Sequence, residues 1–231
     1  ASDGSGARQL TADGVDAENP TVTPDGKWVV YASANPAQNG VWKIRSDGSG
    51  AERLAAGPMT VPELSPDGRW IAYFLIEGEG SSYGYGRIFV VSPDGRTNKQ
   101  IVPEFQFARH PVWIDNETIL FEGTSAQGAS DWWVVKLNSS QAPVRTGAFL
   151  LLGQAINGRR GSPERFHNGR VVFTASSDGP MHLWDLAIQP GDWQAAGAPR
   201  QLTEGPLDEG RLGIAGSNLV YARSRSTAEV Y

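Results

Sequence analysis

The sequence predicts an all-β fold, a five-bladed β-propeller of four-stranded antiparallel blades, closed by pairing of the N- and C-terminal strands in one blade. Three observations carry that expectation. Short apolar runs ending in an aromatic recur at Tyr31, Tyr73, Phe121, Phe173 and Tyr221, spaced 42, 48, 52 and 48 residues apart. Continuing from Tyr221 through the C-terminus to Tyr31 takes 41 residues, so five units tile all 231 residues without remainder. Four-stranded units of ~40–50 residues are the spacing of propeller blades. Finally, Ser2-Asp3-Gly4-Ser5-Gly6-Ala7 recurs letter for letter as Ser46-Asp47-Gly48-Ser49-Gly50-Ala51. The second copy joins a third strand to a fourth, so the first copy should do the same. The third strand it lacks is then most economically residues 227–231, at the far end of the chain.

The units follow in order. In the first, residues 20–23 form the opening strand. Pro24-Asp25-Gly26 turns the chain, since Pro presets φ and Gly accepts a positive φ. Residues 28–31, 40–45 and 52–54 complete the blade. Val61-Pro62-Glu63-Leu64-Ser65-Pro66-Asp67-Gly68-Arg69-Trp70 repeats this opening, followed by strands at 70–73, 87–91 and 99–101. Weaker copies start at His110-Pro111-Val112-Trp113 and Ser162-Pro163-Glu164-Arg165, with strands at 118–121 and 131–135, then 171–173, 182–186 and 200–202. A degraded copy runs over residues 211–218, with a strand at 219–221. The blades therefore span about 19–55, 61–102, 109–146, 161–203, and 209–231 completed by 1–11, as one domain over 1–231. β-branched and aromatic residues dominate, and no segment of helical length with a 3.6-residue period is expected.

Composition narrows the function classes. Hydrophobic residues make up 39% with 8 Trp, enough for a sizeable core and unlike a disordered chain. The longest apolar run, Ala148-Phe149-Leu150-Leu151-Leu152, falls far short of the ~18 residues a membrane helix needs, so direct membrane insertion is not expected. A net charge of -5 without basic blocks argues against nucleic acid as partner. The absence of Cys excludes disulfides, thiol catalysis and cysteine metal sites. A chain beginning at Ala1 is expected to be an excised or processed piece.

Ser65-Pro66-Asp67-Gly68-Arg69-Trp70-Ile71-Ala72-Tyr73 and Arg200-Gln201-Leu202-Thr203-Glu204-Gly205 resemble the WD40-like Pro-Asp (PD40) repeats of TolB-type propellers. The resemblance covers essentially the whole chain. In the last three units Ile114-Asp115-Asn116, His167-Asn168-Gly169 and Ala215-Gly216-Ser217 replace the Pro-Asp-Gly turn. The best-known relatives have six blades, against five counted here. Propellers of this family usually serve as binding platforms. Some contact partner proteins in bacterial envelopes, others are sensor or interaction domains of regulators and kinases, or gates on serine peptidases. The resemblance thus implies a non-catalytic module for a protein or peptide, in the periplasm or cell envelope, with the cytoplasm left open.

Residues bordering the opening strands form the candidate site: Glu18, Asn19, Glu63, Arg109, His110, Glu164, Arg165, Glu209 and Arg211. In a propeller these approach one mouth of the central channel. Both charge signs there suit a peptide or polar ligand, although a solvated channel rim would look alike. The alternative function is a carbohydrate-active enzyme, a glycosidase or lyase. It would need two of Glu18, Glu63, Glu164 and Glu209 to converge at ~5–5.5 or ~6.5–9.5 Å.

No catalytic residue, cofactor or metal is expected. Gly80-Ser81-Ser82-Tyr83-Gly84 matches the hydrolase elbow in letters only, since it sits in a hairpin loop rather than a strand-to-helix turn. The loop's two tyrosines, Tyr83 and Tyr85, could still touch a partner. Asp25 and Asp67 are expected to cap their turns rather than bind calcium. His110, His167 and His182 fall in different units without ligand spacing. Trp28, Trp42, Trp70, Trp132 and Trp184 occupy repeat positions and read as packing between blades. The sequons at Asn116 and Asn138 carry little meaning in a bacterial chain.

Overall fold

The computed structural model describes residues 5–12, 14, 16–77, 85–215 and 218–224. The chain divides into two compact units, Ala1–Pro103 with Phe107–Arg109, and Glu104–Gln106 with His110–Tyr231.

The first unit holds two four-stranded antiparallel sheets. One is β1 (Ala17–Val22), β2 (Trp28–Ser33), β3 (Gly40–Arg45) and β4 (Glu52–Ala56), in that order. The other is β5 (Met59–Leu64), β6 (Ile71–Glu77), β7 (Tyr85–Val91) and β8 (Asn98–Gln100). Next comes β9 (Phe107–Trp113), whose first three residues belong to the first unit, with β10 (Thr118–Thr124), β11 (Ser130–Lys136) and β12 (Val144–Arg145) forming the third sheet. After α1 (Ala148–Ala155), the strands β13 (Arg159–His167), β14 (Arg170–Ser176), β15 (His182–Ile188) and β16 (Ala195–Gln201) form the fourth. The strands β17 (Asp208–Ala215) and β18 (Asn218–Ser224) pair as two. Every strand expected in the first four units is present, each in meander order.

The turns form as their residues dictate. Asp25 Oδ1 accepts Lys27 N–H at 3.1 Å and Thr23 Oγ1–H at 2.6 Å, while Thr23 Oγ1 accepts Trp28 N–H at 3.0 Å. Ser65, Asp67, Arg69 and Trp70 repeat that network. Ser92, Asp94, Arg96 and Thr97 build it a third time, between β7 and β8, a position the repeat pattern did not single out. Asp25 and Asp67 are thus turn caps, as expected.

The helix corrects the expectation that no helical segment exists. Its residues are the apolar run at 148–152, continued to Ala155. Ala148 and Leu152 are buried, as is Ile156, four residues further on. Ala148 and Leu152, four residues apart, lie on one helical face, and Ile156 ends the helix in extended backbone. Eight residues are too few to be helical by propensity alone. Tertiary contacts supply what is missing: the fully buried Asp131 accepts Phe149 N–H at 3.1 Å, and Thr146 Oγ1 accepts Ala148 N–H at 3.2 Å, capping the helix from outside it. The insertion falls between Phe121 and Phe173, which explains the longest aromatic spacing, 52 residues.

Each unit has its own core. Val30, Val41, Leu54, Ile71, Tyr73 and Val91 cluster in the first. Leu120, Trp132, Val134, Leu152, Phe173 and Trp184 cluster in the second, where β10 is buried along its entire length. The tryptophans divide accordingly. Trp132 and Trp184 are core residues, whereas Trp28, Trp42 and Trp70 are only half-buried. Lys43 and Arg45 stand 4.9 and 4.8 Å from the Trp28 ring and Lys99 stands 5.4 Å from Trp70, so cations lie over part of those half-buried rings.

The N-terminal segment needs a separate account. Residues 7–12 form no strand, and the expected partner at 227–231 lies outside the described residues. Yet Leu10 occupies a repeat-equivalent place. A Cβ added at Gly48 would meet Leu10 Cδ2 at 3.8 Å, and one added at Gly95 would meet Leu54 Cδ2 at the same 3.8 Å. Arg8 also donates to the Ser46 carbonyl. Leu10 therefore stands to the β3–β4 turn as Leu54, on a fourth strand, stands to the β7–β8 turn.

Candidate binding site on the first strands

The opening strands share one irregularity. β1 loses register against β2 between Glu18 and Thr21, where Asn19 takes φ 51°. β5 does so between Thr60 and Glu63, where Val61 takes φ 52°, and β17 between Gly210 and Gly213, where Arg211 takes φ 55°. His110 on β9 has φ 51°, and β13 shifts twice between Arg160 and Arg165. A β-bulge inserts an unpaired residue, bends the strand and re-aims a side chain. Left-handed backbone at a non-glycine residue costs roughly 1–3 kcal/mol. Proline follows Asn19, Val61 and His110 because a bulge tolerates a residue without an N–H. The X-Pro in β1, β5, β9 and β13 was legible in the sequence; the bulge it accompanies, which β17 forms without proline, was not.

Four of the nine expected site residues lie in the first unit. Glu18 and Asn19 on β1 and Glu63 on β5 are half-buried on strands that pack together. Arg109 stands on β9 against Gly86 of β7, where an added Cβ would come within 3.1 Å of Arg109 Cβ, and its guanidinium lies 5.5 Å from the Phe107 ring.

The other five lie in the second unit, and two of them are taken up internally. Glu164 accepts Thr174 Oγ1–H at 2.8 Å through Oε1 and Leu212 N–H at 3.4 Å through Oε2, joining β13 to β17. Glu209, whose side chain is 1% exposed, accepts Arg223 Nε–H at 2.8 Å and Thr203 Oγ1–H, with His182 Nδ1 at 3.5 Å. Burial pushes the Glu209 carboxyl up, but the hydrogen bonds from Thr203, Arg223 and His182 outweigh it and hold the group below its ordinary value. That is the reverse of what a general acid requires. Arg165 is half-buried and donates to the Glu164 carbonyl at 2.6 Å. His110 is half-buried, and Arg211 is exposed.

Buried acids on central strands were missed. Asp185 on β15 accepts Arg200 Nε–H at 2.9 Å and Nη2–H at 2.6 Å, and Arg170 Nη2–H at 2.7 Å. Burial raises its carboxyl, yet the Arg200 and Arg170 hydrogen bonds prevail and lower it. Asp131 on β11 pairs with Arg145 at 2.8 Å, and Glu122 on β10 accepts Ser162 Oγ–H at 2.6 Å. Their signal in the sequence was an acid inside an otherwise apolar strand, as in Leu183-Trp184-Asp185-Leu186. Among the described residues no group of three metal-ligating side chains converges. The Gly80-Ser81-Ser82-Tyr83-Gly84 segment lies outside the described residues.

No protein-family model matches the chain, and no curated protein matches it in sequence. Solved structures do match. A TolB of Agrobacterium tumefaciens superposes with a TM-score of 0.64 at 17% identity, covering 94% of this chain and 73% of that one. The chain has the TolB-type β-propeller fold. Acinetobacter baumannii TolB matches with a TM-score of 0.53 at 14% identity, over 77% of this chain and 42% of that one. The chain thus spans under half the length of that TolB. The β-propeller domain of the trilobed protease of Pyrococcus furiosus, described as having an open velcro topology, matches at 0.50 and 13% identity over 90% and 77%. The TolB-type fold accounts for the meandering four-stranded sheets.

The lowered carboxyls of Asp67, Asp185 and Glu209 make stability depend on acid. Each stays ionised in the folded state below the ordinary values of 3.8 for Asp and 4.5 for Glu. Their stabilisation is complete above those values and is lost as pH falls through the lower folded ones. Urea midpoints are therefore expected to be level from pH 7 to about 5 and to fall steeply from about 4 towards 2. Asp185→Asn should flatten part of that limb; an acid limb identical in the variant would contradict the assignment.

Proposed function

We propose that the chain is a non-catalytic binding module that engages a protein or peptide over one face of its propeller. The site is formed by the bulged ends of the first strands, at Glu18, Asn19, Glu63, Arg109, His110, Arg165 and Arg211, with Glu164 and Glu209 of the expected set bracing it from within. The observation that carries this reading is the recurrence of left-handed, strained backbone at Asn19, Val61, His110 and Arg211. Strain of this kind persists where the surroundings enforce it, and it gathers at binding and switch sites. The reading also takes the module as one part of a longer bacterial envelope or regulatory protein, in the periplasm or cell envelope, needing neither cofactor nor metal.

The proposed frame has five blades. Residues 227–231 would add a third strand beside β18, and residues 8–11 a fourth. Two observations support it. The β17–β18 pair has two strands where the other four sheets have four, and it leaves Val220 56% and Ile214 38% exposed. A lone hairpin is marginal in water. Leu10 lies against Gly48 as Leu54 of β4 lies against Gly95, which supports a fourth-strand role for its segment.

Photo-crosslinking residues introduced at Asn19, Glu63, His110 and Arg211 test the binding reading in cells of the source organism. Adducts are expected there and not at Asp47 or Asp94 on the outer turns. Equal labelling of both sets would refute it. A second reading, a propeller domain attached to a peptidase, is favoured by the likeness to the Pyrococcus furiosus protease domain. The carbohydrate-active alternative is disfavoured because Glu164 and Glu209 spend their oxygens on internal donors.

A further inference from the structure

The hairpin between β13 and β14 is closed by two residues, Asn168 and Gly169, between the paired His167 and Arg170. Both take positive φ, 49° and 75°, which makes this a type I′ turn, the geometry that Asn-Gly favours. Asn168 is exposed, and a Cβ added at Gly169 would meet no atom within 4 Å. The peptide group joining the two residues is free. Among the described residues neither the Asn168 carbonyl nor the Gly169 N–H is hydrogen-bonded, whereas the Gly169 carbonyl, in the next peptide group, accepts Ile188 N–H at 3.0 Å. This one peptide plane can therefore turn over, from type I′ towards type II′, while the ladder on both sides stays paired. Turning it carries the Gly169 nitrogen towards the carbonyl carbon of the Asn168 side chain.

The chain has two further Asn-Gly steps, and neither has that freedom. Gly40 is buried in β3 and pairs with Ser33 and Ala56, and a Cβ added there would collide with the Ala55 carbonyl. A Cβ added at Gly158 would collide with the Ser176 carbonyl and come within 2.7 Å of that of Ser177.

We infer that Asn168 is a site of spontaneous covalent modification, deamidating in the folded protein ahead of Asn39 and Asn157. The Gly169 nitrogen gives up its proton to water and bonds to Asn168 Cγ, and the Cγ–Nδ2 bond breaks. The departing nitrogen leaves as ammonia, with a proton from water or from the His167 imidazole, whose Nε2 lies 2.9 Å from Nδ2. Water then opens the five-membered succinimide at either of its carbonyls, giving aspartate or isoaspartate. Both products add one negative charge to a chain whose net charge is -5. Aspartate keeps the turn, since Asp-Gly also suits type I′. Isoaspartate routes the backbone through Cβ and lengthens the loop, which removes the type I′ geometry at the end of the strand that carries Arg165.

The test incubates the full chain in mildly alkaline buffer at body temperature, folded or in urea, and follows it over days by peptide mapping and isoaspartyl-specific methylation. In the folded chain the peptide containing Asn168 should gain one mass unit at least about tenfold faster than those containing Asn39 and Asn157, since freeing a paired or crowded amide adds to the barrier. In urea the three rates should converge. Gly169→Ala should slow conversion at Asn168 about tenfold, because its methyl group crowds the attacking nitrogen. Equal rates at the three sites in the folded chain, or a faster rate at Asn39 or Asn157, would overturn the inference. An Asn168 rate unaltered by Gly169→Ala would do the same, as would rates that keep their order in urea, because the turn would then not be what selects the site.

Discussion

Trp132→Ala is expected to destabilise the protein by about 3–5 kcal/mol, the range for truncating a large buried aromatic. Trp132 is 0% exposed and packs edge-on against Phe173 with ring centroids 5.4 Å apart, in a cluster that includes Val134, Leu152 and Trp184. For a chain of this size the loss corresponds to a fall of roughly 6–20 °C in melting temperature. Trp132→Phe provides the control. The indole N–H is buried without a hydrogen-bond partner among the described residues, so the Phe variant forfeits volume and no hydrogen bond. It should cost less than half as much. Differential scanning calorimetry measures both, and equal losses would show that something other than packing volume is at stake.

Glu209→Ala is the second large effect, expected at about 3 kcal/mol. Removing one partner of a buried ion pair costs ~3–5 kcal/mol. The lower end applies because the Arg223 side chain is 53% exposed and can rehydrate once released. The carboxylate gathers His182 of β15, Thr203 beyond β16 and Arg223 of β18, while the Glu209 amide donates to the Met181 carbonyl at 2.8 Å. The hairpin β17–β18 is thereby latched to the fourth sheet, with Leu212 packing on Val172 and Leu183. Amide exchange should accelerate over 208–224 first in the variant, since sheets open in locally cooperative parts. Glu209→Gln keeps the shape and an acceptor, and should retain part of the protection. Uniform acceleration through both units would rule out a local latch.

Much of the fold could be read in advance because its signals are local. Val41-Trp42-Lys43-Ile44-Arg45 shows strand composition within five residues, and β3 begins and ends within a residue of that stretch. Pro24-Asp25-Gly26 determines a reversal from three residues, and the Asp25 hydrogen bonds stay within the turn. The helix was not legible for the opposite reason. Ala148–Ala155 is short, and its N-terminal amides are satisfied by Asp131 and Thr146, the first 18 residues from the amide it caps.

The site shows the same division. The residues near the strand entrances were singled out from the repeat, because repetition alone brings Asn19, Val61, His110 and Arg211 to equivalent positions, with Glu18, Glu63, Arg109, Glu164, Arg165 and Glu209 within three residues of them or of Ser162. Which of them could meet a ligand depended on partners remote in sequence. Glu164 reaches Leu212 across 48 residues and Glu209 reaches His182 across 27, turning two apparent binding carboxylates into struts.

By itself, then, the amino-acid order determined the strands, their turns and the periodic plan, since β-propensity, alternation and proline-glycine geometry act over a few residues. Tertiary structure alone decided which charges are spent and which remain outward, where a helix could stand, and which tryptophans are buried. Those outcomes depend on desolvation and on hydrogen-bond partners that only meet once the sheets have packed.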